Sequence, residues 1–336
     1  MEPLTAQYGV RMLTTWLTER LGIRYPVISA SMTGVAHGQL ARAVSRAGGL
    51  GMLGIGSQVP IEALTQEARI AGDGGALPFG VGLTAWALPD RPELLEATVE
   101  QRPALVSLSF GPIRARDVEL LHAGGILVSA QVHSPQAAHD AAAAGVDLVE
   151  AQGTEAGGHT GTVAMLPLLQ RLQQEIDTPL LAAGGIATPG ALAAVLVAGA
   201  VGARIGTPLL LSQEAVIAQG ARDRLRVAEV DETVLSPLFD RALRPGWPQE
   251  YQLRTLANDF TDTWIDKADD LTKDHSALRQ LADAVESGDY DIAPVLAGQT
   301  VGLLRAARPA AEVIIELAEG AEAILRSRVP DLLRDH

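Results

Sequence analysis

From Tyr25 to about residue 205 the chain repeats one unit. A short run of β-branched or leucine-rich residues is followed by an alanine-rich amphipathic stretch, the two joined by Gly, Pro, Ser and Thr. Strands are expected at 27–30, 51–55, 79–83, 105–108, 126–130, 147–150, 179–183 and 201–205, and helices between them at, for example, 39–47, 62–71, 137–144 and 190–198. Strand starts fall roughly 20 to 30 residues apart, the length that a strand–loop–helix–loop unit needs. Parallel neighbours cannot be joined by a hairpin, so this spacing points to an α/β chain with helical crossovers. Eight such units favour a closed (β/α)8 TIM barrel over an open doubly wound sheet.

The ends of the chain break the rhythm. Met12, Leu13, Trp16, Leu17 and Leu21 are spaced as on a helix, expected to be short and to close one end of the core. Beyond Glu214 the pattern changes: 220–300 holds the segment Pro245-Gly246-Trp247-Pro248 and the acidic residues Asp262, Asp266, Asp269 and Asp270. It reads as a helical insertion over the barrel mouth, the acidic run being a solvated helix face. An amphipathic helix over 310–325 is expected to return as the last outer helix. The division is therefore a barrel of 1–219 and 300–336, with 220–299 as a helical substrate or lid domain. A chain of 336 residues, 47% hydrophobic, has the material for such a core.

Composition removes several kinds of chemistry. A formal charge of −14 and the lack of any basic run argue against nucleic acid as a partner. With no cysteine there is no disulfide, thiolate–zinc site, iron–sulfur cluster or cysteine nucleophile. No P-loop or metalloprotease signature is present, and no metal site is expected. Without a signal-like leader or an apolar run of about 18 residues, a cytoplasmic protein without membrane contact is the expectation.

In a barrel of this kind the ligand lies over the C-terminal ends of the strands. Four loops there carry chemistry: 29–34 (S-A-S-M-T-G), 149–161 (V-E-A-Q-G-T-E-A-G-G-H-T-G), 182–188 (A-A-G-G-I-A-T) and 204–208 (R-I-G-T-P). Glycine loops after the last two strands are a phosphate-binding arrangement, with backbone N–H groups of Gly184, Gly185, Gly206 and Thr207 and the Thr207 hydroxyl as donors. The competing reading is that these glycines only make tight turns. The 149–161 segment is too irregular for a helix or strand, and it delivers His159 after two glycines. His37, His122, His133 and His139 lie in helical or helix-start contexts where surface placement is expected; His159 is the candidate for proton chemistry.

These motifs identify a resemblance. The stretches 26–34, A-V-S-R-A-G-G-L-G at 43–51, A-Q-G-T-E-A-G-G-H-T-G at 151–161, A-A-G-G-I-A at 182–187, G-A-R-I-G-T at 202–207 and A-G-Q-T-V-G at 297–302 resemble the nitronate monooxygenase family. These are flavin enzymes related to the FMN-dependent enoyl-acyl-carrier-protein reductases. The resemblance implies an FMN-binding barrel. Ser31, Met32 and Thr33 would lie against the isoalloxazine, Gln152 and Gly157 would contact the flavin, and Gly184, Gly185, Gly206 and Thr207 would hold the phosphate. Arg204 and Ile205, in the same motif, are counted with the cofactor site, and His159 matches the active-site histidine. Glu155 is expected to fix its loop through backbone N–H contacts. Three positions depart from the family: Gly82, where Asn is common, Ser109, where His is frequent, and Pro208-Leu209, where a bulkier pair is usual.

The activity implied is FMN-dependent oxidation of alkyl nitronates by O2 to a carbonyl compound and nitrite, with His159 either a base or an anion-holding cation. An NAD(P)H-dependent FMN enoyl-thioester reductase and a non-catalytic flavin- or phospholigand-binding barrel are the alternatives. The expected partners are a small-molecule substrate and O2, with a homodimer left open.

Overall fold

The computed structural model describes residues 13–244 and 246–333. In chain order the strands are β1 (Val27–Ser29), β2 (Gly51–Ile55), β3 (Phe79–Thr84), β4 (Leu105–Ser109), β5 (Leu127–Val132), β6 (Leu148–Gln152), β7 (Gly158–Thr160), β8 (Leu180–Ala183), β9 (Gly202–Ile205), β10 (Thr233–Ser236) and β11 (Gln252–Leu256). The α-helices are α1 (Trp16–Leu21), α2 (Gly38–Ala47), α3 (Ile61–Ala71), α4 (Pro92–Glu100), α5 (Ala115–Ala123), α6 (Pro135–Ala143), α7 (Met165–Leu172), α8 (Pro189–Val197), α9 (Gln219–Val227), α10 (Leu238–Leu243), α11 (Asp259–Trp264), α12 (Ala268–Leu271), α13 (His275–Ser287) and α14 (Ala310–Leu332).

Eight strands run parallel in the order β1-β9-β8-β6-β5-β4-β3-β2. The ring closes where Ser29 N–H donates to Leu50 O at 3.0 Å and Leu50 N–H to Val27 O at 3.0 Å. All eight expected barrel strands are present, and the (β/α)8 barrel is the fold.

Strand alternation sorts the side chains. Val27, Leu53, Val81, Val106, Val128, Val149, Ala182 and Ala203 belong to the apolar layer between barrel and helices. Their sequence neighbours Ile28, Met52, Leu105, Leu148 and Leu181 fill the bottom of the interior together with Leu17, Leu21 and Ile23. Helix α1 is therefore the plug anticipated for one end, and Thr15 starts it with a capping box. Met12, assigned to the same helix, lies outside the described residues. Above the apolar floor the interior turns polar, with Ser107, Ser129, Glu150 and Arg204 all buried. Interior glycines make room: a Cβ on Gly80 would overlap the Met52 sulfur, and one on Gly82 would overlap the Ser31 side chain.

Helices α9 to α13 lie within 219–287, and this part of the chain also holds two strands that periodicity did not reveal. Strand β10 pairs antiparallel with β11, and β11 pairs antiparallel with β7. Strand β7 lies in the loop after β6, so part of the segment read as too irregular for a strand is one. The outer ring is completed by α14, which packs on α8 and α2 and buries Ile314, Leu317, Ala318 and Ala321 in the barrel's apolar layer.

Candidate active site

The C-terminal ends of the strands surround a cavity of about 1050 Å³. Of the residues named from sequence, Ser31, Met32, Thr33, Gln152, Gly157, His159, Gly184, Gly185, Arg204, Gly206 and Thr207 all line it. Ile205 does not. It is 1% exposed and belongs to the layer beneath the helices, because alternation along β9 that turns Arg204 inward turns Ile205 outward.

The two glycine loops are shaped as a cradle. Gly184 and Gly185 sit at φ 98° and 70°, a region that L-residues avoid, which lets the chain turn sharply at the end of β8. The Thr207 hydroxyl accepts the Gly298 N–H at 2.9 Å, leaving its own proton to be donated elsewhere. Gly298 belongs to the A-G-Q-T-V-G motif, and Gln299 N–H donates to Glu155 O at 3.0 Å, so this late motif docks on the loop after β6. A Cβ on Gly157 would come within 2.5 Å of the Ala297 carbonyl carbon, so only glycine allows that approach.

The same loop is braced from three sides. Glu155 accepts the Met165 N–H with both oxygens, at 3.1 and 3.0 Å, capping α7, whose N-cap residue Ala164 has no acceptor side chain. Glu155 thus holds the loop by a backbone contact, as expected. Arg254, on β11, donates to Thr154 O at 2.7 Å and to Thr233 Oγ1 at 3.0 Å, and Thr160 Oγ1 donates to Gly153 O at 2.9 Å. The consequence is a rigid mount for His159, which pairs across the small sheet with Leu253.

His159 is 9% exposed, and its Nε2 lies 3.0 and 2.9 Å from the two carboxylate oxygens of Asp240 on α10. Its ring stacks on Trp247 with centroids 3.7 Å apart and meets the edge of Phe110 at 5.6 Å. Arg244 Nη1 reaches Asp240 at 3.3 Å. Burial lowers the pKa of His159, opposed by the Asp240 carboxylate and assisted by Arg244, leaving it below the ordinary histidine value. Burial thus favours the uncharged imidazole.

A second buried histidine stands beside it. His133 was expected at the surface, but it is only 8% exposed. Strand β5 ends at Val132, two residues beyond the expected end, which makes His133 the first residue after a barrel strand. Its Nε2 bonds Gln152 Oε1 at 2.5 Å, and Gln131 Nε2 donates to the same oxygen at 3.1 Å. With that carbonyl doubly used, the NH2 of Gln152 is what it offers the cavity. Burial, opposed by the Gln152 hydrogen bond and assisted by the nearby His159, pushes the His133 pKa down to about 4.

Phe110 stands at the centre of the aromatic group, with His133, His159, Trp247 and Tyr251 around it. Its φ of 61° is costly for a bulky side chain, about 1–3 kcal/mol. Two hydrogen bonds hold it: Trp86 N–H donates to Phe110 O at 3.0 Å, and Gly111 N–H donates to Tyr251 Oη at 3.1 Å. Asp240, Trp247, Phe110, His133, Gln131 and Tyr251 were all missed in the sequence. The one available signal was position: His133 and Phe110 follow strands, and the loops after strands are where such a barrel works.

Below the cavity, Arg204 Nη2 donates to Glu150 Oε1 at 2.8 Å and Nη1 to Ser31 Oγ at 3.4 Å. Ser31 fills the space that Gly82 leaves open, which accounts for the absence of a side chain there. Among the described residues there is no cluster of three His, Asp or Glu groups arranged to hold a metal ion.

The profile of the nitronate monooxygenase family matches residues 14–320. A nitronate monooxygenase of Metarhizium robertsii is 34% identical over 91% of this chain and 93% of its own length. A (3aS,4S,5R,7aS)-5-hydroxy-7a-methyl-1-oxo-octahydro-1H-indene-4-carboxyl-CoA dehydrogenase of Rhodococcus jostii is 32% identical over 68% of this chain, a match that spans 64% of that protein. Among solved structures, the nitroalkane oxidase of Streptomyces ansochromogenes superposes with a TM-score of 0.77 at 28% identity, covering 92% of this chain and 99% of that one. A barrel with a buried histidine over glycine-rich loops, matched along nearly its whole length by that profile, makes this chain an oxidoreductase of the nitronate monooxygenase family.

Proposed function

We propose that the protein binds FMN in this cavity and oxidises alkyl nitronates, and the neutral nitroalkanes that precede them, with O2 to a carbonyl compound and nitrite. The observation that carries this reading is that His159 and the two glycine loops line one cavity. Its volume reaches the upper end of the ~300–1,000 Å³ usual for small-molecule sites, room for a cofactor and a substrate together.

The residues fit FMN. Gly184, Gly185, Gly206 and Thr207 present N–H groups and a hydroxyl suited to a phosphate, and Gln152, Ser31, Met32 and Thr33 flank the space for the ring. Arg204 Nε, buried and without a partner among the described residues, adds an uncommitted donor beneath that space. FMN, when bound, supplies electron transfer between the organic substrate and O2.

The neutral His159 serves as base, taking the α-proton of a nitroalkane while the bonding electrons pass to the carbon and nitro group. Asp240 then faces the imidazolium so formed. Phe110, Trp86 and Trp247 line the cavity beside it and limit the water that could protonate the anion again. A cytoplasmic location, with a small-molecule substrate and O2 as partners and a homodimer open, belongs to the same reading; among the described residues no helix is long and apolar enough to cross a membrane.

Oxygen uptake and nitrite release tell the outcome. The wild-type protein is expected to act on nitropropane and on preformed propyl nitronate. His159→Asn should lose about 10²–10⁴-fold in kcat/KM on the neutral compound and keep most activity on the anion. Equal loss on both would exclude the base role, and no nitrite from either would exclude the function. The Rhodococcus relative supports a second reading, flavin chemistry on an acyl thioester. Rapid anaerobic bleaching of the flavin by NADH or NADPH would favour that one.

A further inference from the structure

We propose that Asp240 is the positioning residue of the site: it holds His159 as the Nε2–H tautomer, so that Nδ1 is the atom presented to the substrate. This rests on the reading of His159 as the base. A carboxylate only accepts hydrogen bonds, so an imidazole nitrogen within 3.0 Å of both its oxygens carries the proton. In a neutral ring the other nitrogen then bears the lone pair. His159 lines the cavity whereas Asp240, 6% exposed, does not, so the ring stands between carboxylate and cavity.

The ring has little freedom to turn. Trp247 covers one face at 3.7 Å, Phe110 sets its edge at 5.6 Å, and the β7–β11 pairing fixes the backbone. The titratable or charged neighbours are Asp240 and Arg244 on one side, and His133 with Tyr251 across Phe110 on the other. Asp240, Arg244, Trp247 and Leu253 all belong to the 220–299 segment, whereas the glycine cradle belongs to the barrel. In the step, the substrate C–H bond breaks, its proton passes to Nδ1, the electron pair stays on the substrate, and Asp240 balances the imidazolium.

The chain has seven histidines, so ¹⁵N-histidine labelling of the flavin-loaded protein with long-range ¹H–¹⁵N spectra resolves tautomers directly. The signal missing from His159→Asn identifies residue 159. The expected wild-type pattern at neutral pH is Nε2–H. Asp240→Asn, whose amide can donate to Nε2, should shift the ring toward Nδ1–H and lower kcat/KM on nitropropane by about 10²–10⁴-fold, with less than about threefold change on propyl nitronate. Asp240→Glu should restore part of the loss. A wild-type Nδ1–H ring overturns the proposal without any variant. So does Asp240→Asn with an unchanged tautomer and equal losses on both substrates. If the wild-type protein acts on neither compound, the functional reading fails, and the tautomer still decides the role of Asp240.

Discussion

His159 and His133 lie at the same end of the barrel, touch the same phenylalanine, and are both pushed toward the uncharged form for the same reason: burial penalises the charged ring. They differ in partner. His159 has a carboxylate that can share a charge during turnover, and His133 has only the carbonyl of Gln152. His133 should therefore act through stability. Its native pKa of about 4 is below the unfolded value of 6.5, so below pH 6.5 the unfolded chain binds a proton that the native state refuses. Stability is full above about pH 6.5 and is lost as pH falls toward 4, by about 3 kcal/mol for this group. His133→Gln, which keeps a donor for Gln152 but cannot titrate, should flatten that part of the profile. Urea unfolding of both proteins at pH 7 and pH 4.5 checks it; equal slopes would contradict the assignment. Only half of this pair was legible in sequence. His159 stood out by its flanking glycines, but a buried histidine and an exposed one look alike in a string.

At the scale of elements, the barrel strands were legible because alternation and apolar runs are local, and their ends shifted by no more than two residues. Strands β7, β10 and β11 were not. Strand β7 is three residues long, begins with a glycine, and exists because Gln252–Leu256 pairs with it. Arg254 is the clamp of that arrangement. Buried at 6% exposure, it satisfies Thr154 O and Thr233 Oγ1, tying the insertion's sheet to the loop that carries His159. Arg254→Met should strand a buried carbonyl and cost about 1–3 kcal/mol. Hydrogen exchange should speed up at 154–160 and leave β1 to β5 unchanged. Exchange rising evenly across the barrel would place the clamp's effect elsewhere.

For the molecule as a whole, the plugged floor and the cradle divide the barrel into a stability end and a working end. Cofactor binding at the working end must appear as stability by mass action, about 2.7 kcal/mol at a hundred times the dissociation constant. FMN added to flavin-free protein should therefore raise Tm by roughly 5 °C, and riboflavin, which lacks the phosphate, by much less. Gly184→Ala, forced to φ 98°, should remove most of the difference between the two flavins. Equal shifts by FMN and riboflavin in the wild-type protein would remove the phosphate from the cradle.

The sequence by itself determined the barrel, its plug, its glycine loops and the place of His159, since period, turn chemistry and motif spacing act over a few residues. Tertiary structure alone decided what surrounds that histidine. Asp240 is 81 residues from it in the chain, and Arg254 is 100 residues from the threonine it holds. Such contacts arise only when the insertion folds back over the barrel mouth. The lowered pKa of His159 follows from that burial and from no feature of the residue's own surroundings in the chain.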